Sequence, residues 1–115
     1  MRPIPKKLLI HKATLYKRLK VDKWGAVTLD GGQEIERVRM EPSRQIIRDK
    51  NNAEIQLAAM LFYDCRNSYP QGIGFEVDDI IDFCGQKHQI KRIEPLYDGS
   101  RLHHYEIGMV RYGKN

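Results

Sequence analysis

Two cysteines and four histidines are the residues of this sequence best suited to bind a metal or to act as nucleophile and base. A structural zinc site takes about four such ligands, usually in closely spaced pairs. The candidates lack that spacing, and adjacent histidines on a strand are expected to point to opposite faces. Neither cysteine follows a pattern that activates a thiol. The sequence therefore predicts no metal site, no cofactor and no catalytic residue, and two reduced cysteines that lie in strands. The residues considered are Cys65, Cys84, His103 and His104.

Two other short motifs resemble ligand-binding sequences. Gly72-Ile73-Gly74 lacks the third glycine of a dinucleotide fingerprint and the lysine of a phosphate-binding loop, so it indicates a turn. Asp78, Asp79 and Asp82 carry oxygens of the kind that bind hard cations. An acidic cluster at the entry of a strand is, however, more often solvated. These patterns predict that the protein is not an enzyme.

Positive charge is concentrated in the first half of the chain. Residues 1–50 contain 13 Lys and Arg and 6 Asp and Glu, a net charge of +7, whereas residues 51–115 contain 7 and 9, a net charge of −2. A basic region can contact phosphates or form a solvated strand face, and both interpretations stay open. Its tryptophan can stack on a base or plug a hairpin. The candidate interface residues are Lys12, Lys17, Arg18, Lys20, Lys23 and Trp24.

Strands are the elements predicted to position these residues. Apolar and polar residues alternate with period two, and Gly, Pro and Asp clusters separate the segments. Residues 54–63 fit both periods, and we favour a strand over a helix there because strands surround them. The predicted strands cover residues 8–17, 26–29, 34–40, 54–63, 79–83, 88–95 and 102–112.

These segments predict an all-β fold, a small β-barrel or sandwich of about six to seven short strands with long polar loops. The 115 residues suit a single domain with one core. Residues 1–6 and 113–115 are expected to be loose at its ends. Apolar runs are too short for a membrane span or a signal peptide, so we expect a protein made in the cytoplasm with no membrane contact. The predicted core contains Leu15, Val38, Leu57 or its neighbours, Ile81, Phe83, Ile90 and Ile107.

Several segments together resemble a family of phage and prophage minor capsid proteins related to the head-completion, or stopper, proteins of long-tailed phages. Their order and spacing carry the resemblance, above all the His-His-Tyr-Glu-Ile-Gly block that begins at His103. The segments are residues 4–11, Trp24-Gly25, and residues 38–43, 61–64, 67–70, 85–90 and 103–110.

The resemblance implies a small β-barrel that forms a ring with its own copies at the head–tail junction of the virion. A portal or adaptor protein lies above such a ring and a tail completion protein below it, and the genomic DNA passes through. The family offers no catalytic residue and no cofactor. A channel that lets DNA slide should contact it weakly and non-specifically, because each phosphate contact adds affinity. We therefore expect the basic cluster at protein interfaces. The alternative is a small β-barrel nucleic-acid-binding module, which tight DNA binding would indicate.

Residues 43–53 are the candidate channel-facing or partner-facing loop. They follow Pro42, which cannot donate to a sheet, and a polar excursion of this length is usually functional. A plain hairpin with Ile46 and Ile47 in its strands is the competing interpretation, and residues 21–32 are the rival loop. The candidate loop residues are Arg44, Arg48, Asp49, Lys50, Asn51 and Asn52.

Overall fold

The computed structural model describes residues 2–113, which form an almost entirely antiparallel all-β fold, as predicted. Ten strands follow one turn of 3-10 helix at Lys6–Leu8. The strands are β1 (His11–Tyr16), β2 (Arg18–Val21), β3 (Val27–Leu29), β4 (Gln33–Pro42), β5 (Ile46–Arg48), β6 (Glu54–Gln56), β7 (Ala59–Asp64), β8 (Ile80–Phe83), β9 (Gln86–Asp98) and β10 (Arg101–Arg111). No helix among residues 2–113 has both the length and the apolar character needed to cross a membrane.

Six strands close into a barrel in the order β1-β4-β7-β10-β9-β8. Each of them pairs with two neighbours, and the pairing of β1 with β8, where Leu15 lies opposite Ile81, completes the ring of strands. Closure leaves these six strands without a free edge, which makes the barrel a rigid support. The remaining four strands form two separate hairpins, β2–β3 and β5–β6.

Apolar side chains from all six barrel strands fill the interior. Five of the predicted core residues are fully buried there: Leu15, Val38, Ile81, Ile90 and Ile107. Phe83 is only partly buried and packs against this core. Interior-facing side chains fill a barrel of this size, so it is a packed core and not a pore.

The prediction of a single core is wrong, because Leu57 is buried in a second cluster. It packs with Ile47 and Met60, away from the residues of the barrel interior. The cause is a break in the predicted strand at residues 54–63, since β6 ends at Gln56 and β7 begins at Ala59. Leu57 lies over β10 at Gly108, where an added Cβ would stand 2.7 Å from the leucine Cδ1.

A β-bulge at Arg37 also overturns the alternation predicted for β4. Simple alternation places Ile35 and Val38 on opposite faces, yet both are fully buried in the barrel. The pairing with β1 skips one residue here: Lys12 lies opposite Glu36, and His11 lies opposite Val38. Arg37 has a φ of +54° and is the extra residue.

Both cysteines are free, but they lie in turns and not in strands. Cys84 and Gly85 have positive φ values of 52° and 82° and connect β8 to β9. Two consecutive residues of positive φ make the tight hairpin turn whose twist suits antiparallel strands. Cys65 lies in the turn after β7. Burial raises the pKa of the Cys65 thiol, and the neighbouring Asp64 carboxylate raises it further, so the thiolate is disfavoured.

Hydrogen bonds join the N-terminal segment to the barrel; of residues 1–6, which were expected to be loose, Met1 lies outside the described residues. The backbone N–H of Ile4 donates to Asp64 Oδ1 at 2.9 Å, and Asn67 Nδ2 donates to the Ile4 carbonyl at 2.8 Å. The carboxylate of Asp64 is fully buried and also accepts from two backbone N–H groups of its own turn. Of the opposite end, also expected to be loose, residues 114–115 lie outside the described residues.

Candidate functional site

The same five-residue turn closes both hairpins outside the barrel. The turns are Asp-Lys-Trp-Gly-Ala at residues 22–26 and Asp-Lys-Asn-Asn-Ala at residues 49–53. In each, the aspartate Oδ1 accepts from the backbone N–H groups two and four residues ahead, at 2.8–3.0 Å. The fourth residue has positive φ, which glycine and asparagine tolerate. The two tips therefore have matching local geometry, and the hairpins differ in what their strands contact.

The β2–β3 arm, residues 18–29, exposes apolar side chains along its length. Trp24 at its tip is 80% exposed and Leu19 is 62% exposed. Val21 lies directly opposite Val27, and both are exposed. Contiguous exposed apolar surface on a folded domain marks an interaction site more often than chance. The Lys23 ammonium lies 4.8 Å from the Trp24 ring centroid, so the tip presents an aromatic face together with positive charge.

The base of this arm is held by the buried carboxylate of Asp79, which accepts two hydrogen bonds from it. Asp79 is 2% exposed; its Oδ2 accepts from Lys17 Nζ at 2.5 Å, and its Oδ1 accepts from the backbone N–H of Arg18 at 3.1 Å. Burial lowers the pKa of Lys17, but hydrogen bonds to Asp79 and Glu76 outweigh it, so the pKa lies above its ordinary value. The expectation of a solvated acidic cluster is therefore wrong for Asp79.

The predicted interface residues separate into two groups. Lys17 and Arg18 are engaged within the chain, since the Arg18 guanidinium also pairs with Asp78 at 3.4 Å. Lys12 lies on the barrel wall and pairs with Glu36 at 3.3 Å. Within residues 2–113, Lys20 and Lys23 form no ion pair. With Trp24, these two lysines are the predicted residues whose side chains stay available to another molecule.

The candidate loop at residues 43–53 is built as a hairpin packed on the barrel, which is the competing interpretation from the sequence. Ile47 is buried in the outer cluster, while Ile46 is exposed. Arg48 pairs with Glu54 at 3.1 Å and donates to the Asn52 carbonyl at 2.9 Å. Asp49 is used by the turn. The side chains of four loop residues form no hydrogen bond or ion pair within the described chain: Arg44, Lys50, Asn51 and Asn52.

Sequence reasoning missed an apolar groove on the outer wall, which we call the N-terminal groove. Its volume is about 380 Å³. The N-terminal segment forms one side and the barrel strands form the other, with a paired Arg39 and Glu41 at 2.7 Å. The lining residues are Ile4, Leu8, Leu9, Arg39, Glu41, Phe62 and His104. The apolar run Leu8-Leu9-Ile10 was the available signal, but the residues that its first two members contact across the groove are distant in sequence and leave no local pattern.

The two adjacent histidines meet, contrary to the expectation that they point to opposite faces. The pairing of β10 with β9 shifts register between Leu102 and His104, which brings the Nδ1 atoms of His103 and His104 to 2.8 Å. His103 Nε2 donates to the Arg2 carbonyl at 2.6 Å, and His104 Nε2 lies 2.9 Å from Glu106 Oε2. These contacts hold the N-terminal segment in place. No group of three or more His, Cys, Asp or Glu within residues 2–113 is placed to hold a metal.

A family model described as minor capsid protein matches residues 5–109 of this chain. The chain belongs to the minor capsid protein family. The matched region runs from the N-terminal segment to near the end of β10, so it includes both hairpins and every lining residue of the N-terminal groove except Ile4. No curated protein matches the chain. Family membership makes this a structural protein of phage virions, which confirms the resemblance at that level.

Proposed function

We propose that this minor capsid protein is a ring subunit at the head–tail junction, where it closes the DNA-filled head and provides the platform on which the tail docks. The observation that carries the proposal is the β2–β3 arm. A stiff hairpin that exposes Trp24, Leu19 and Val21 gains nothing for a lone subunit, because exposed apolar surface favours association. Assembly with other virion proteins buries this surface, and family membership supports that setting.

The barrel and the second hairpin suit the remaining parts of that role. A closed barrel is a rigid wall element, and the β5–β6 hairpin rests on it through Ile47. Its candidates to face the channel or a partner are the side chains without a partner among the described residues: Arg44, Lys50, Asn51 and Asn52. The partners in this proposal are a portal or adaptor protein above, a tail completion protein below, and DNA held weakly by a few phosphate contacts.

The role we propose is architectural and involves no catalysis. The buried carboxylates have structural roles as hydrogen-bond acceptors. Asp64 holds a turn and the N-terminal segment, and Asp79 holds the base of the arm. Each of these carboxylates accepts hydrogen bonds from backbone groups, which fixes loops and leaves no acceptor directed at a substrate. We accordingly propose no cofactor.

Removal of the protein from an otherwise intact phage tests the proposal. We expect heads that package DNA, then lose it, and that do not join to tails. Gold-labelled antibody against the protein should mark the neck of wild-type virions in electron micrographs. Label distributed over the capsid faces, or virions that keep DNA and tails without the protein, would contradict the junction role.

The loop assignment has its own test. Arg44→Ala combined with Lys50→Ala should leave subunit stability within about 0.5 kcal/mol, since both side chains are exposed. We expect filled heads with this double variant to retain less DNA, measured by nuclease sensitivity. Arg101→Ala, an equally exposed cation at the turn between β9 and β10, is the matched control. Equal DNA retention in both variants would place the gate outside the β5–β6 hairpin.

The alternative function, a nucleic-acid-binding module, has one observation in its favour. The exposed Trp24 ring, with Lys20 and Lys23 beside it in sequence, resembles a platform on which a base can stack. Trp24 is the only tryptophan, so its fluorescence reports binding directly. Micromolar affinity for single-stranded DNA with a steep salt dependence would favour the alternative. Weak binding that disappears at physiological salt is the result expected for a ring subunit.

A further inference from the structure

An acidic patch borders the N-terminal groove. Glu94 of β9 lies directly opposite Glu106 of β10, and like charges in that position repel each other. Glu106 also lies opposite Phe62 and contacts His104, and both of these residues line the groove. Glu94 forms no ion pair within residues 2–113, and Arg92, two residues earlier, donates to Gln45 instead. Glu106 therefore has a partner in His104, whereas the Glu94 carboxylate is left unpaired by the described part of the subunit, beside an apolar groove.

The tip of the β2–β3 arm has the complementary chemistry. It presents the apolar ring of Trp24 in the turn, with the exposed Leu19 and Val21 further along β2, and two cations without an ion pair in the described chain, Lys20 and Lys23. An apolar group flanked by positive charge matches an apolar groove flanked by negative charge. Complementary potentials of this kind fix register and exclude wrong partners more than they add affinity.

The arm and the groove lie apart in one subunit. The arm joins the barrel where Gln33 begins β4, whereas Arg39 and Glu41 line the groove six or more residues further along the same strand. At the usual rise of a strand, that separation is about 20 Å. The base of the arm is held by Asp79, and β2 and β3 pair with each other in a sheet separate from the barrel. Two unlike patches at separate places favour head-to-tail contacts, which close into a ring.

We propose that the β2–β3 arm of one subunit docks into the N-terminal groove of the next copy. Trp24 occupies the apolar groove, and Lys20 and Lys23 meet Glu94 and Glu106 of the neighbouring copy. The proposal rests on the proposed ring function and names the contact that joins neighbouring subunits. A tryptophan buries about 150–250 Å², well below the roughly 800 Å² per partner of a stable dimer. The contact is therefore weak between two free subunits, and ring closure adds many copies of it.

The other groove of the subunit is a poor receptor for this arm. It lies at the β5–β6 end of the barrel and contains two arginines, Arg44 and Arg111, against the single carboxylate of Glu41. Its net positive charge repels Lys20 and Lys23. This groove is nevertheless larger than the N-terminal groove and partly apolar. It therefore serves as the internal control for the choice of the N-terminal groove as the receptor.

Disulfide trapping in assembled virions tests the contact. In a background with Cys65→Ser and Cys84→Ser, which removes both native cysteines, we combine Ala26→Cys with Leu8→Cys; Ala26 is an exposed residue of the same turn, so Trp24 itself stays in place. Head-to-tail docking predicts a ladder of cross-linked oligomers on a non-reducing gel, because every subunit carries both halves of the contact. The matched control replaces Leu8→Cys with Ser43→Cys, a residue of the other groove. Virions with either single cysteine should give no ladder.

The experiment tests the arm–groove contact separately from the proposed role at the head–tail junction. A ladder with Leu8→Cys and none with Ser43→Cys supports the proposal, and a ladder with Ser43→Cys alone would overturn it. Virions that hold the protein at the neck but give no ladder would overturn the arm contact and leave the junction role intact. Neck labelling in the same particles separates this case from a failure of the proposed function.

A charge exchange provides a second measurement if the cysteine variants do not enter virions. Lys20→Glu with Lys23→Glu should reduce incorporation of the protein at least several-fold, quantified by mass spectrometry against the major capsid protein. Glu94→Lys should do the same, and combining all three changes should restore at least half of the wild-type level. Additive losses without recovery would overturn the pairing of these charges.

Discussion

The β2–β3 arm and the β5–β6 hairpin have matching turns at their tips and opposite arrangements at their bases. The β5–β6 hairpin buries Ile47 and is followed at once by Leu57, which is 2% exposed, so it lies on the barrel wall. The β2–β3 arm buries no apolar residue and is held by the carboxylate of Asp79. The turn sequence therefore determines the shape of a hairpin tip, and the strand residues determine whether the hairpin packs on its own chain or is left for a partner.

The largest loss of stability should come from truncating Leu57, the apolar residue on which the β5–β6 hairpin rests. Leu57→Ala removes a side chain that is 2% exposed and should lower the free energy of unfolding by about 2–5 kcal/mol. Ile46→Ala, in the same hairpin at a site that is mostly exposed, is the matched control and should cost no more than about 0.5 kcal/mol. Urea denaturation followed by far-UV circular dichroism measures both. Similar losses in the two variants would mean that the outer cluster contributes little.

Removal of the carboxylate under the arm should have the next largest effect. Asp79→Ala leaves the Lys17 ammonium and the Arg18 backbone N–H without their acceptor, which should lower stability by about 1–3 kcal/mol. Hydrogen exchange should accelerate in β2 and β3 and stay unchanged in β5 and β6. Asp82→Ala is the control, because that carboxylate is more exposed and meets only Lys87 at 3.6 Å. If hydrogen exchange accelerated equally in both hairpins, the ion pair of Lys17 with Asp79 would not stabilise the arm separately from the rest of the fold.

Alkaline pH should weaken the same base by a smaller amount. The pKa of Lys17 is raised in the folded protein above its ordinary value of 10.5. Its contribution to stability is therefore fully present below 10.5 and is lost as the pH rises through the folded value. Burial also raises the pKa of Tyr63, which adds a loss of the same sign. Urea denaturation between pH 9 and pH 12 should show a shallower decline for Lys17→Met than for the wild type, and identical slopes would exclude a role for this lysine.

Truncation at the tip of the arm should have the smallest effect on stability. Trp24→Ala removes a side chain that is 80% exposed, so the free energy of unfolding should change by less than about 0.5 kcal/mol. The same variant should enter virions poorly, because the apolar tip is what the arm offers to a partner. Leu57→Ala should behave in the opposite way, with low stability but an intact arm. A large loss of stability with Trp24→Ala would show that the arm packs on its own subunit.

The fold class was readable from the sequence because alternation reports the face of a residue within an uninterrupted strand. Prediction from alternation failed where a strand contains an extra residue or is interrupted. The bulge at Arg37 requires a positive φ, which the presence of an arginine does not indicate. Ile35 and Val38 were therefore placed on opposite faces. The break after Gln56 moved Leu57 to the outer cluster for the same reason.

The candidate site was predictable only in part. Trp24 and its lysines stand out locally, since an aromatic residue beside glycine in a basic stretch is visible in the sequence itself. The pairing of Lys17 with Asp79 joins residues 62 positions apart, and no local pattern reports such a contact. The N-terminal groove joins Ile4 to Phe62 and His104, so it exists only once the tertiary structure has formed.

The fastening of the N-terminal segment has a consequence for the timing of synthesis. Arg2 and Ile4 leave the ribosome first, but their hydrogen-bond partners are Asp64, Asn67 and His103. The groove that this segment helps to form is therefore absent until nearly the whole chain has been translated. Both strands and the turn of the arm, by contrast, have been made by residue 30, and only the carboxylate that fixes its base, Asp79, comes later. Under the proposed arm–groove contact, a growing chain therefore presents an arm but no groove, and nascent neighbours on one messenger RNA cannot link to each other before His104 has been made.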